Sequence, residues 1–243
     1  MTTEGLHADL DAVGGLPRYT VRYTRRRSLG LYVYRDQRVE VRVPPGCPRS
    51  EIEAFVAARA DWIRRKLKEF GAAPRPAVKS YRSGELHPVL GEHYPLLLFP
   101  GLPREVRLVA GALRVRDPRV AEPARVKALL QAWYRREAGR VLPERLAACH
   151  ARLAHWRLPL PRLSIRAMRS RWGSCSARGD VCLNLELIKY PVALIDYVIV
   201  HELCHLREFN HSPRFYALMD EALPDWSARK AELNRLARGM MVD

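Results

Sequence analysis

His201-Glu202-Leu203-Cys204-His205, continuing Leu206-Arg207-Glu208-Phe209-Asn210-His211, gathers three imidazoles and a carboxylate into one short stretch. Histidines four residues apart stack on one face of a helix, about 6 Å from each other, near enough to share a metal ion. Glu202, beside the first of them, is within reach of a water on that metal. His211 completes a three-ligand set that keeps one coordination position open, as metal-assisted hydrolysis requires. Neutral imidazoles suit Zn²⁺ at about 2.0–2.1 Å. A straight helix would carry residue 211 well around its axis from 205, so the chain has to turn back. Asn210 tolerates the left-handed conformation that ends helices and is expected to make that reversal. Ser212-Pro213 then reads as the N-cap and first-turn proline of a new helix over 213–222.

Rival ligands are weaker. Glu221 and Glu232 belong to later helices and stand behind His211 as third ligand. Glu208 and Asp196 read as solvated, or as carboxylates holding the outer N–H of a ligand histidine. Cys204 lies about 100° around the helix from His205 and reads as packing. His7, His87, His93, His150 and His155 lack ligand spacing and read as ordinary surface or core histidines.

Upstream of the histidines, Val192, Leu194, Ile195, Val198, Ile199 and Val200 make the helix from Pro191 to about Phe209 apolar on most sides, as a central buried helix is. Before it, Ser164–Met168 and Val181–Leu187 read as strands, with a turn at Ala177–Asp180. Val181, Leu183 and Leu185 alternate with Cys182, Asn184 and Glu186, the pattern of a half-buried strand. Residues 122–156 read as one or two helices, with Pro143 a point of division or kinking, and 227–238 as another. Residues 1–17 read as a flexible leader, and 18–120 as a β-rich N-terminal region with one helix. Its strands are Tyr19–Tyr23, Leu31–Tyr34 and Val39–Val43, then short strands over 86–116. The helix runs from a Ser50/Glu53 capping box to about Phe70, with a linker-like break at Gly71–Pro76. Residues 121–243 form the domain that carries the histidines.

Charge is lopsided: 42 Lys+Arg against 26 Asp+Glu, a net +16. The excess is spread over both halves, 22 basic to 13 acidic in 1–120 and 20 to 13 in 121–243. Such a field attracts nucleic acid or other polyanions. Solvated arginine-rich faces are the plainer account, since 36 of the 42 are arginine. Five cysteines without a C-x-x-C pair fit a reducing compartment. The acidic N-terminus does not read as a signal peptide, and no run reaches the ~18 apolar residues of a membrane span. A soluble, cytoplasmic protein with no membrane partner is expected.

Three runs carry a family resemblance: Arg171-Trp172-Gly173-Ser174-Cys175 with Leu183-Asn184, then Tyr197–Leu206, then Asn210-His211-Ser212-Pro213-Arg214-Phe215. Together they resemble the YgjP-like metallopeptidases, bacterial proteins related to the SprT-like and WLM zinc proteases. The similarity is dense over about 165–230 and looser over 18–160. It implies an α+β fold: a zincin-like catalytic domain with a small antiparallel sheet and a central HExxH helix, preceded by a β-rich N-terminal region. It also implies one Zn²⁺, ligands His201, His205 and His211, and Glu202 as the catalytic carboxylate. The glycine that one zincin group carries in its ligand spacer is replaced by Glu208, so that group is not assigned. In zincins a strand near the metal pairs with the substrate backbone, and Arg171–Ser176 or Val181–Leu187 is that edge here. Arg171 stabilises the developing oxyanion, binds an anionic group, or simply packs with Trp172 to cap the hairpin. Tyr216 is a second oxyanion candidate, unless its helix buries it.

The first function expected is a zinc metallopeptidase, in which Glu202 deprotonates a zinc-bound water that attacks a peptide carbonyl. Kinship with SprT-like proteins points to DNA-bound or polyanion-associated protein substrates. A nucleotide or phosphoester hydrolase on the same metal is the alternative, since arginines hold phosphates and relatives have been linked to nucleotide pyrophosphate hydrolysis. A non-catalytic nucleic-acid-binding module with structural zinc is the third. It is disfavoured because structural sites are closed by four protein ligands.

Overall fold

Apolar residues at alternate positions build the first sheet. Tyr19 and Val21 of one strand, and Val39, Val41 and Val43 of another, point to the same side and are buried there. The computed structural model describes residues 7–10, 18–34, 36–72, 79–168 and 171–237, and the chain divides into two compact units, Met1–Pro76 and Ala77–Asp243. In the first, β1 (His7–Leu10), β2 (Tyr19–Tyr23), β3 (Gly30–Val33) and β4 (Val39–Val43) form one sheet in the order β1-β2-β4-β3. β2 and β4 run parallel and the other pairs antiparallel. Ile52, Val56 and Ile63 from two helices, α1 (Arg49–Ala57) and α2 (Ala60–Ala72), close the core over the sheet.

Two expectations change here. The single helix over 50–70 is two, separated at Ala58-Arg59. Ser50 does not cap: the N-cap is Pro48, with no side-chain bond, and Ser50 lies inside α1. Of the leader, only His7–Leu10 is described, as a strand paired with β2; the rest of 1–17 and residues 73–76 of the linker lie outside the described residues.

The second unit begins with a four-stranded sheet in the order β5-β6-β8-β7, from β5 (Leu86–Val89), β6 (Glu92–Phe99), β7 (Glu105–Val109) and β8 (Ala112–Arg116). α3 (Pro123–Arg152) packs on β7 and β8 and on the central helix α4 (Val192–Cys204). α3 runs unbroken through Pro143. Nine buried side chains along it, from Val126 to Cys149, fix it against its neighbours and override the lost backbone bond. On α4, Leu194 to Val200 are all buried, so this helix is surrounded by protein as its composition required. Arg145 of α3 ties the two helices with a bidentate pair to the buried Asp196, at 2.9 and 2.6 Å. Asp196 is therefore taken by an arginine.

A small sheet lies against the histidine end of α4. It consists of β9 (Leu163–Arg166), β10 (Gly173–Cys175) and β11 (Val181–Asn184), in the order β10-β11-β9. β10 pairs antiparallel with β11, but β11 pairs parallel with β9, so the sheet is mixed. β11 stops at Asn184, where a 3-10 turn, Leu185–Lys189, takes over, with the Asn184 side chain capping it through Glu186 N–H. α5 (Pro213–Ala222) and α6 (Trp226–Ala237) pack on α4 and complete the α+β architecture.

Candidate metal centre

α4 ends at Cys204, five residues short of the expected Phe209, and His205 is its C-cap. The last carbonyls are satisfied by a tightened turn in which Cys204 C=O accepts from both Arg207 N–H and Glu208 N–H, each at 3.0 Å. The reversal that brings back His211 does not use Asn210 in the left-handed region; Asn210 is absent from the residues with positive φ. Instead Ser212 N–H donates to Asn210 C=O at 2.7 Å, a three-residue turn with His211 at its apex. Ser212 then caps α5 by accepting from Phe215 N–H at 3.3 Å, with Pro213 in the first turn, as the sequence required.

The outcome is convergence. One nitrogen from each of His201, His205 and His211 lies within 4.8 Å of the others. His211 Nε2 is 3.0 Å from His201 Nε2. The rings stand at 4.9, 4.8 and 4.9 Å between centroids for the pairs 201–205, 205–211 and 201–211. Beneath all three lies Phe215, fully buried, its ring 4.9, 4.6 and 4.7 Å from those of His201, His205 and His211. His205 Nδ1 contacts the Glu208 carbonyl at 3.2 Å. That bond fixes the tautomer with the proton on Nδ1 and leaves Nε2 as the lone-pair donor. Burial, reinforced by His205 and His211, pushes the His201 imidazole down to about 3. It stays neutral, the form that ligates. Three imidazole nitrogen donors on an apolar floor fit a borderline metal cation.

Other residues named from the sequence go elsewhere. Glu221 accepts from Trp156 Nε1–H at 2.7 Å and contacts His155 Nε2 at 2.9 Å, and Glu232 pairs with Arg235 at 2.7 Å. Glu208 contributes its backbone carbonyl rather than its carboxylate. Cys204 is buried with Sγ 3.4 Å from Met219 Sδ, its thiol pushed up to about 12 by burial. Tyr216, by contrast, stays at the histidines: it is exposed, 39%, with its ring stacked 6.3 Å from that of His211 and 5.4 Å from that of Trp226.

Glu202, one position after His201, is buried, and its carboxylate faces β10, where it lies against Gly173. β10 has a strand partner on one side only among the described residues, while β11 is flanked on both. Of the two candidate edges, Arg171–Ser176 is the one that contains an edge strand.

Sequence reasoning missed Phe215 as the floor and placed Asn184 on the polar side of its strand. Asn184 is fully buried. It donates to the carbonyls of Met168 and Arg171, both at 2.9 Å, and accepts from Glu186 N–H at 3.1 Å. An asparagine closing an alternating strand was the signal, since a buried amide has to find such partners.

A buried helix bearing two histidines, a return turn bearing the third and an edge strand beside the intervening carboxylate define a metallopeptidase-type domain. The chain belongs to the YgjP-like family: its model, "YgjP-like, metallopeptidase domain", matches residues 27–236. That membership implies a metal ion and protein or peptide substrates. Among solved structures, the metallopeptidase zymogen of Pyrococcus abyssi abylysin aligns over 42% of this chain and all of its own, at 18% identity and a TM-score of 0.38, a likeness too slight to bear on the site. No curated protein matches the chain. Among the described residues, no helix is long and apolar enough to cross a membrane.

Proposed function

We propose that this protein is a zinc-dependent peptidase in which His201, His205 and His211 hold the ion and Glu202 is the general base. The observation that carries this is the convergence of three imidazole nitrogens within 4.8 Å, one residue away from a buried carboxylate. When bound, Zn²⁺ polarises the scissile carbonyl and acidifies a water. Glu202 takes the proton of the attacking water on a carboxylate oxygen and returns it to the leaving amine nitrogen. The open edge of β10 receives the substrate as an added strand, which sets the scissile carbonyl in register through backbone hydrogen bonds. The net charge of +16 favours protein substrates held on polyanions.

Unfolded casein, incubated with the zinc-loaded protein, tests the reading. Glu202→Gln is expected to lower turnover by about 10³-fold or more while zinc stays bound, since it removes the base and keeps the shape. His211→Ala is expected to lose most of the zinc. Chelator-sensitive turnover of nucleoside triphosphates without casein cleavage would replace the peptidase with a phosphohydrolase. Zinc found with four protein ligands and no activity would replace it with a structural site.

A further inference from the structure

Gly173 opens β10 where that strand lies on α4. A Cβ built on it would overlap Glu202 Oε1 and fall 2.8 Å from both Cδ and Cγ. Carbon atoms in contact stand about 3.5–4.0 Å apart, so there is no room for even one methyl group. Conformation does not call for glycine here. Gly173 has no positive φ, unlike Gly84, Gly91 or Gly179, so an L residue suits its backbone. What the position requires is space.

The backbone around Gly173 is fastened. Gly173 pairs with Leu183, and the preceding carbonyl, that of Trp172, accepts from Asn184 N–H at 2.8 Å. The Asn184 side chain holds the carbonyls of Met168 and Arg171. Trp172 is buried edge-on to Tyr190, with centroids 4.9 Å apart. If a methyl group is added at 173, the strand is held from behind and the movable partner is the end of the Glu202 side chain.

We propose that Gly173 is a positioning residue. It forms the wall of a slot one methyl group deep in which the Glu202 carboxylate rests, and Asn184 holds that wall in place. The proposal rests on the reading of Glu202 as general base and gives the Trp172-Gly173 and Leu183-Asn184 motifs a task in that chemistry.

The test uses the full-length, zinc-loaded protein with unfolded casein. Gly173→Ala is expected to keep zinc at the wild-type ratio and to lower kcat by about 100-fold, the scale of a 1 Å misplacement of a catalytic group, with KM within about twofold. Thermal melting supplies a readout independent of turnover. Gly173→Ala lowers Tm in the wild type but leaves it nearly unchanged in a Glu202→Ala background, where the space is vacant. If Gly173→Ala alone does not fold, the double variant is expected to fold. Equal Tm losses in both backgrounds, a double variant that does not fold, a kcat within twofold of wild type, or an effect confined to KM would each overturn the proposal. A wild type that cleaves nothing overturns the peptidase reading and this proposal with it. An active wild type matched by Gly173→Ala overturns this proposal alone.

Discussion

Both units pair buried carboxylates with arginines, but the second also holds a polar cluster of another kind. In Met1–Pro76, Glu40 is buried and is met by Arg42 Nε at 2.5 Å and Tyr34 Oη at 3.3 Å. Arg42 and Arg38 in turn lie over the rings of Tyr32 and Tyr34, at 4.2 and 4.5 Å. This network closes on itself within one sheet. In Ala77–Asp243, Asp117 and Asp196 are likewise met by Arg125 and Arg145. The three histidines are arranged differently: their rings stand within 4.9 Å of one another over Phe215, and His205 also bonds the Glu208 carbonyl. Like groups so close repel when protonated, and the cation proposed above would hold them together. A polar network complete within the chain is structural; one completed by a ligand is a site.

The largest test of that contrast pairs two fully buried side chains. Phe215→Ala is expected to cost about 3–5 kcal/mol, and Ile52→Ala in the first unit about 2–5 kcal/mol. Only Phe215→Ala should reduce zinc content, read by metal analysis beside calorimetry. Equal zinc loss in both would break the comparison.

Next comes acid, measured with chelator present. Burial, with the positive charges of Lys79 and Lys189, holds His87 of the second unit below its ordinary 6.5, against the opposing pull of Glu85. The unfolded chain therefore binds this proton first. Stability from His87 is present above 6.5 and is lost as pH falls from there toward the folded value, by at most about 1.4 kcal/mol per pH unit. Glu40 differs. Burial raises it, but the bonds from Arg42 and Tyr34 outweigh burial and leave it below its ordinary 4.5. Its contribution is present above 4.5 and is lost as pH falls through the lowered folded value. Acid melts of wild type and His87→Gln are expected to diverge below about 6.5, whereas Glu40→Gln is expected to change the profile only in the carboxylate range.

The smallest effect comes from the cap. Ser212→Ala removes the bond to Phe215 N–H and is expected to cost about 1 kcal/mol. It should also weaken zinc binding, because α5 carries Phe215 beneath the rings. Unchanged affinity, measured against a competing chelator, would show that the floor stays in place without its cap.

How much of this was legible in advance follows the range of the interactions. The pairing of His201 with His205 and the start of α5 at Ser212-Pro213 were readable because helix periodicity and capping act within four residues. The end of α4 and the return of His211 were misjudged in detail. Asn210 suggested a left-handed residue, but the chain turns through Ser212 N–H and Asn210 C=O. The sequence of that turn does not say which way His211 faces. Asn184 was misplaced for a related reason: strand alternation assigns a side, and only the carbonyls of Met168 and Arg171, brought onto it, make that side an interior.

The amino-acid order by itself determined the family, the candidate site residues and the apolar helix that bears two of them, since spacing along a helix converts directly into adjacency in space. Tertiary structure decided the rest: that Phe215 underlies all three rings, that Glu221 and Asp196 are engaged elsewhere, and that Gly173 stands against Glu202. These are contacts between separate segments, fixed by which side chains fill a shared volume, and packing of that kind is set only when the whole core closes.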